Sequence, residues 1–403
     1  MRHPRIAILH QGCVPTYRRA FYERLGAIAG RQYFVFHGDP EPGLGIAAAT
    51  PPFTFDHIEV KNRFWRFLGR TLVYQPVFAR VARGDFDAIV IGHEVKYLAS
   101  VALALLFRAR GKPVLLWGFG PHVDALKEFR SPMSRWIGRI VTCAQTLMLR
   151  VATDYLAYTE GGAAHATEAG MPKDRVAVLN NTIELSGEIA AHARAQLLDR
   201  AALRRDMGLS EGSVVFLFVG RMNAAKRVDA LIEAVQELRQ QPGASIEVLI
   251  VGSGPDDAKL RSRAAGAGWC HFLGPIHDTV VLSRIFRVSD AVVIPGYVGL
   301  AVNHAFAHGL PVITTRSETH SPEIEYIQDG VNGLILSSLR DLGDGLRAFA
   351  ASDDLRRKLA AGALLSRAKL DLQRMAEAFD GGVRRALERP RAQRRRGSLL
   401  EVR

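Results

Sequence analysis

The sequence predicts an α/β protein built as two Rossmann-like halves, and three observations carry that expectation. Short β-branched apolar runs alternate with amphipathic stretches along most of the chain. That pattern argues for parallel sheets covered on both faces by helices. The alternation pauses at a polar helical stretch near residues 184–200 and then restarts. At 403 residues the chain is about two to three times the common domain size, so two domains are expected.

The elements follow in order. "RIAILH" reads as a first strand, and "YRRAFYERLGAIA" as a helix with Phe21, Leu25 and Ile28 on one face. "DAIVIG" is a strand, "KYLASVALALLFRARG" a helix and "PVLLWGFG" a strand. "DYLAYTE" and "RVAVLNNTI" close the first half, and "GEIAAHARAQLLDRAALRRDMGL" links to the second. The second half runs through "SVVFLFVG", "RVDALIEAVQELRQ", "IEVLIVGSG", "PDDAKLRSRAAGAG", "CHFLG", "AVVIPG", "LAVNHAFAHG" and "PVITT". A last helical stretch from about Asp341 to Leu387 precedes Pro390 and the basic run "RPRAQRRR". These readings divide the chain into an N-terminal domain at 1–190, a C-terminal domain at 191–375, and a helix end with basic tail at 376–403.

Charge narrows the partners. The formal net charge is +13, which suits an acidic partner such as a nucleotide phosphate or an anionic lipid. Between Arg384 and Arg403 stand eight Arg and two Glu, so six of the thirteen excess charges lie in the last twenty residues. That run lacks interleaved aromatics and accompanies no reading motif, which argues against nucleic acid. The three cysteines, Cys13, Cys143 and Cys270, are widely spaced and fit reduced thiols in a cytoplasmic protein, with no zinc spacing. The N-terminal apolar run is too short for a signal peptide, and the longest apolar run, "YLASVALALLF", is too short to span a bilayer. A soluble or peripheral protein is expected.

Ligands of open α/β sheets sit beyond the carboxyl ends of the strands, so the turns that follow strands carry the chemistry. After "SVVFLFV" comes "GRMNAAKRVDALIEAV": Gly220 allows the turn and places Arg221 and Lys226 near a helix start, a suitable seat for a diphosphate. After "IEVLIV" comes "GSGP", where Gly252 and Gly254 allow a tight turn. The third turn is "GYVGLAVNHAFAHG", in which amides around Gly299 and Leu300 would face an anion. His304 and His308 have the spacing of a zinc pair on a helix, but without the usual Glu after the first His. Such a lone pair is more often structural, and no metal is expected.

Taken in order, "GRMNAAKR", "GSGP", "CHFLG", "IPGYVGL", "HAFAHGLPVITT" and "PEIEYIQDGVNGLIL" resemble the C-terminal half of the GT-B-fold glycosyltransferases of family 4 (glycosyltransferases group 1) over about residues 214–336. "YTEGGAAHATEAGMPKDRVAVLNNTIE" resembles the segment that ends the family's first domain. The resemblance implies a GT-B fold, two Rossmann-like domains facing across a cleft. One difference stands out. Aligned on Gly299 and Leu300, the family's two glutamates, eight positions apart, fall on Gly296 and His304. In the family the first acid is associated with the transferred sugar and the second holds the nucleotide ribose. His304 can still exchange a hydrogen bond with a ribose hydroxyl.

What the resemblance implies is a retaining glycosyltransferase that uses no cofactor beyond its nucleotide-diphosphate sugar donor. Arg221 and Lys226 would stabilise the charge that builds on the leaving phosphate. Gly12, Gly220, Gly254, Gly299, Leu300, His304 and Glu323 would line the donor. The family often has a histidine over the sugar, and "LLWGFGPHVD" offers His122, with Asp124 second. Tyr17, Arg18 and Arg19 either face the acceptor or form a solvated helix face. The acceptor would be a glycan or a lipid-linked sugar, in cell-surface polysaccharide synthesis on the cytoplasmic side of the membrane. "RSPMSRWIGRIVTCAQTLMLRVATDY" is either a core helix with Arg on its wet side or a helix lying on an anionic bilayer. The alternative is a non-catalytic nucleotide-sugar-binding subunit on the same scaffold. A two-carboxylate glycosidase would need paired acids, and no such pair is visible.

Overall fold

The computed structural model describes residues 2–43, 46–67, 70–119, 132–241, 245–317 and 320–390. The chain divides into two compact units: one ends at Ile183 and resumes at Leu372, and the other is Glu184–Asp371.

In chain order the first unit holds β1 (Arg5–Leu9), α1 (Arg19–Gly26), β2 (Gln32–His37), β3 (His57–Glu59), β4 (Arg63–Phe67), β5 (Arg70–Tyr74) and α2 (Phe78–Arg83). It continues through β6 (Ala88–Gly92), α3 (Leu98–Ala109), β7 (Val114–Gly118), α4 (Pro132–Val151), β8 (Asp154–Ala157), α5 (Glu160–Glu168) and β9 (Val176–Val178). Its main sheet has the order β3-β2-β1-β6-β7-β8-β9, and the pairings are parallel. β6 and β7 are buried at every residue, as strands covered on both faces must be. Phe21 and Leu25 of α1 lie in one apolar core, while Ile28 falls just past the helix end and is only partly buried. A separate antiparallel hairpin pairs β4 with β5.

The second unit opens with α6 (Ser186–Gln196) and α7 (Arg200–Asp206). The polar stretch expected as one helix is thus two, and the Asp199 side chain caps the second by accepting from the Ala201 N–H. Then come β10 (Val214–Val219), α8 (Val228–Arg239), β11 (Ile246–Val251), α9 (Asp257–Arg263), β12 (Cys270–Gly274) and α10 (Thr279–Val288). β13 (Ala291–Val293), α11 (Ala301–Ala307), β14 (Val312–Thr315), β15 (Gly333–Leu336), α12 (Leu342–Ala351) and α13 (Asp353–Ser366) complete it. The sheet order is β12-β11-β10-β13-β14-β15, parallel throughout.

The chain then returns to the first unit as α14 (Leu372–Glu388). Where the sequence placed domain limits at 190 and 375, the contacts put them at 183/184 and 371/372. α6 packs on α10, which ties it to the second unit, and α14 packs on α1, β8 and β9 of the first. In each sheet the strand order reverses at one place, between β1 and β6 and between β10 and β13. The loops leaving those strands border the crevice in which open α/β sheets bind ligands.

Candidate functional site

In the second unit the loop after β10 and the turn after β13 flank the reversal, and they are knitted together by backbone. The Gly296 N–H donates to the Lys226 carbonyl at 3.1 Å, and the Tyr297 N–H to the Ala225 carbonyl at 2.8 Å. Asn223 caps the short turn Ala224–Lys226 by accepting from the Lys226 N–H. The Lys226 ammonium donates to the Val298 carbonyl at 2.7 Å and lies 5.3 Å from the Tyr297 ring centroid. Burial pulls its pKa down to about 8, opposed by the charge of Glu323. Lys226 is therefore a cation held at the reversal at the cost of desolvation, which an incoming anion would offset.

Arg221 is exposed on the same loop. The helix start expected beside these cations is α8, but its first turn already carries Asp229, paired to Arg227 at 3.2 Å. An anion is better received by the 220–226 loop than by that helix end. Gly220 ends β10, with its N–H on the Val251 carbonyl at 3.0 Å. Gly254 packs backbone on backbone: a Cβ there would come within 2.1 Å of the Met222 carbonyl oxygen, which accounts for this glycine without a ligand.

The Gly299 amide, expected to face an anion, is engaged within the protein. It donates to the Ser321 hydroxyl at 2.8 Å, which ties the turn to the segment that carries Glu323. Leu300 is the N-terminal flanking residue of α11 and is half-buried. Glu323 is buried in the short turn Pro322–Tyr326, near enough to act on Lys226.

Gly296 leaves no room for an acid. A Cβ at this position would lie 2.0 Å from the Ala225 carbonyl oxygen, so the tight backbone approach of the two turns excludes every side chain. His304 does not stand alone: its Nδ1 lies 2.8 and 2.9 Å from the two carboxylate oxygens of Glu188 on α6. His308 is structural, with Nδ1 donating to the His304 carbonyl at 2.8 Å, Nε2 accepting from Ser283 at 2.9 Å, and its ring stacked on Phe286. Among the described residues no cluster of three or more His, Cys, Asp or Glu could hold a metal ion. The acids absent from the glycine turn thus enter from elsewhere, as Glu188 and Glu323. Sequence spacing gave no sign of Glu188, which lies 116 residues from His304 in a stretch that reads as a polar helix.

In the first unit Gly12 follows β1. Its N–H donates to the Tyr97 hydroxyl at 3.0 Å, and its carbonyl accepts from Asn62 at 2.8 Å, so it braces the β1–β6 reversal. Arg18 is neither on a wet face nor open to an acceptor. It is buried, donates to the Asn181 side chain and to the Thr182 carbonyl, and lies 5.3 Å from the Trp117 ring centroid. Arg19 pairs with Glu23 at 2.8 Å. His122 and Asp124 lie outside the described residues, as does the basic tail beyond Pro390. α4 divides by face: Gln145, Met148 and Leu149 are buried, while Trp136, Ile140, Cys143 and Leu147 form an exposed stripe beside Arg139 and Arg150. No helix among the described residues is long and apolar enough to cross a membrane.

Residues 213–351 match the family described as glycosyl transferases group 1. A D-inositol 3-phosphate glycosyltransferase of Nocardia farcinica is 30% identical over 243 residues, which cover 57% of this chain and 50% of that protein. The chain spans about half the length of the curated relatives it matches. Among solved structures, HepE of Anabaena in complex with UDP is similar, with TM-score 0.65 and 15% identity over 94% of this chain and 98% of that one. Sucrose-phosphate synthase from Thermosynechococcus elongatus is similar with TM-score 0.66 and 18% identity over 95% and 99%. These likenesses establish the GT-B architecture.

Proposed function

Because residues 213–351 match the glycosyl transferases group 1 family and the chain has the GT-B fold, we propose that it transfers a sugar from a nucleotide-diphosphate sugar to an acceptor hydroxyl. The observation that carries this reading is Lys226, a desolvated cation fixed at the β10–β13 reversal by the Val298 carbonyl. As the bond between the sugar and the phosphate breaks, negative charge grows on the leaving diphosphate. A cation already in place stabilises that charge more than it stabilises the ground state. Arg221 on the same loop supplies a second contact. The family resemblance supports attack by the acceptor on the face from which the diphosphate leaves, with retention, the leaving phosphate oxygen taking the acceptor's proton.

The first unit is the acceptor side in this reading, and the acceptor is a glycan or a lipid-linked sugar. The exposed apolar stripe on α4 with Arg139 and Arg150 supports peripheral work at an anionic membrane, in cell-surface polysaccharide synthesis. HepE supports UDP as the first nucleotide to try. The test is thermal-shift screening against UDP, GDP, TDP and their sugars, followed by measurement of nucleotide released from the stabilising donor. Stabilisation with release supports the transferase. Stabilisation without release under any acceptor tried supports a non-catalytic donor-binding subunit, and no stabilisation overturns both.

A further inference from the structure

Glu188 stands in the first turn of α6 and its carboxylate spans the Nδ1 of His304 with both oxygens. A ring nitrogen bonded to a carboxylate carries the proton, so the neutral ring has Nδ1–H and leaves Nε2 as an acceptor. The neighbouring ring is committed inward. His308 spends Nδ1 on the His304 carbonyl and Nε2 on Ser283, and burial lowers its pKa, keeping it neutral. Its Nδ1 is 3.8 Å from Glu188, so this carboxylate faces two imidazoles. Only one has an edge to offer: the His304 side chain is 30% exposed and that of His308 0%. His304 sits one helical turn beyond Leu300, on the helix that leaves the β10–β13 reversal, in the same segment as the Val298 carbonyl that holds Lys226.

We infer that Glu188 is a positioning residue that locks His304 in the tautomer whose Nε2 accepts a hydrogen bond from a hydroxyl of the nucleotide-sugar donor. This rests on the donor-binding reading given above. A neutral ring nitrogen suits a hydroxyl near a diphosphate, because it accepts without placing a second negative charge there. The Glu188 carboxylate lies behind the ring and is largely buried. Sequence distance hides the relationship, and the fold creates it by laying α6 against α11.

The experiment is calorimetric titration of UDP, GDP and TDP into the full chain and into four variants: Glu188→Ala, Glu188→Gln, His304→Ala and the double Glu188→Ala/His304→Ala. With the nucleotide that binds, Glu188→Ala and His304→Ala should each raise Kd about five- to twentyfold. Glu188→Gln, whose amide oxygen still accepts from Nδ1–H, should recover most of the affinity. The double variant should match His304→Ala alone, since Glu188 acts only through the ring. An unchanged Kd in Glu188→Ala with a lowered Tm would make the pair a tie between helices and overturn the inference. Additive losses in the double variant would overturn it as well. If Glu188→Ala does not fold, His304→Ala and Glu188→Gln decide, because an unchanged Kd in His304→Ala removes the ring from the donor. A wild-type chain that binds none of the three nucleotides instead sinks the donor reading itself.

Discussion

The Lys226 ammonium donates to the Val298 carbonyl at 2.7 Å, and this bond closes the loop after β10 onto the turn before α11. Its pKa of about 8 sets a pH window. In the native state the group releases its proton near pH 8, whereas the unfolded chain holds it to about pH 10.5. Between those values the unfolded state binds more protons, so Lys226 costs native stability below pH 8 and the cost fades as pH rises. Affinity for a diphosphate runs the other way. Phosphate is fully ionised by pH 8, so UDP affinity should fall about tenfold per unit once Lys226 loses its charge. Titration calorimetry from pH 7 to pH 9.5 measures this. Lys226→Met should bind weakly at all pH values with no such slope, and a wild-type slope that persists in this variant would assign it to another group.

Arg221 offers a cleaner separation of function from folding, because its side chain is exposed. Arg221→Ala should leave Tm within a degree or two of wild type. Its kcat/KM should fall about 10- to 150-fold, the equivalent of a charge-assisted contact of about 1.5–3 kcal/mol. Equal kcat/KM in both proteins would place Arg221 outside the donor contacts.

Gly296 answers to backbone packing. A Cβ at that position would lie 2.0 Å from the Ala225 carbonyl oxygen and 3.1 Å from the Arg227 Cγ, and a carbonyl cannot swing aside as a flexible side chain can. Gly296→Ala should lose about 2–4 kcal/mol in denaturant unfolding. Gly296→Glu should be at least as destabilised and should gain no activity, although it restores an acid. A Gly296→Ala variant within 0.5 kcal/mol of wild type would show that the turn relaxes at little cost.

What sequence showed and what it hid follow the same physics. Strands such as β6 and β7 are buried on both faces, so they appear as unbroken apolar runs and are easily read. The β4–β5 hairpin, "RFWRF" and "RTLVY", mixes arginine with aromatics and lacks a clean alternation. The second unit's turns were legible because Gly220, Lys226 and Gly299 stand in glycine-containing loops that directly follow apolar runs. Contacts between distant segments were not. Glu188 reaches His304 only because α6 packs beside α11, and Ser321 takes the Gly299 amide only through the fold. Arg18 reads either as facing an acceptor or as solvated, since arginine is usually exposed, and nothing local says that Asn181 and Trp117 close over it.

That buried Arg18 carries its own prediction. Its guanidinium donates to the Asn181 side chain and the Thr182 carbonyl and lies against the Trp117 and Tyr158 rings. Arg18→Met keeps much of the volume but withdraws donors from buried acceptors. Unfolding stability should drop by about 1.5–3 kcal/mol. Burial, and then the Arg18 charge, hold the His10 pKa well below its ordinary value. In Arg18→Met that pKa should rise while burial still keeps it depressed, which imidazole NMR signals followed against pH would show. A His10 titration identical in both proteins would deny that the two groups interact.

Packing inside the first unit does not account for the stripe on α4. Trp136, Ile140, Cys143 and Leu147 recur at spacings of four, three and four, so they share one helix face, and all four are exposed. Arg139 and Arg150 stand beside them, while Gln145, Met148 and Leu149 turn inward. A helix so divided can lie in a bilayer interface with its apolar side among acyl chains and its arginines at the headgroups. Each exposed arginine near an anionic surface adds about 1 kcal/mol, and each apolar side chain that enters adds about 1.5–3 kcal/mol at full burial. The chain should therefore sediment with phosphatidylglycerol vesicles at low salt. Ile140→Ser/Leu147→Ser should lower the partition coefficient at least tenfold at any salt concentration, because it removes apolar burial. Arg139→Glu should lower it mainly at low salt, where charge is least screened. Both variants change exposed positions, so their Tm should stay near wild type, and Arg221-dependent turnover of a soluble acceptor should persist. If the double serine variant partitions like wild type, the stripe does not enter the bilayer. Should it also elute as a smaller species than wild type in gel filtration, the stripe covers a second copy of this chain instead.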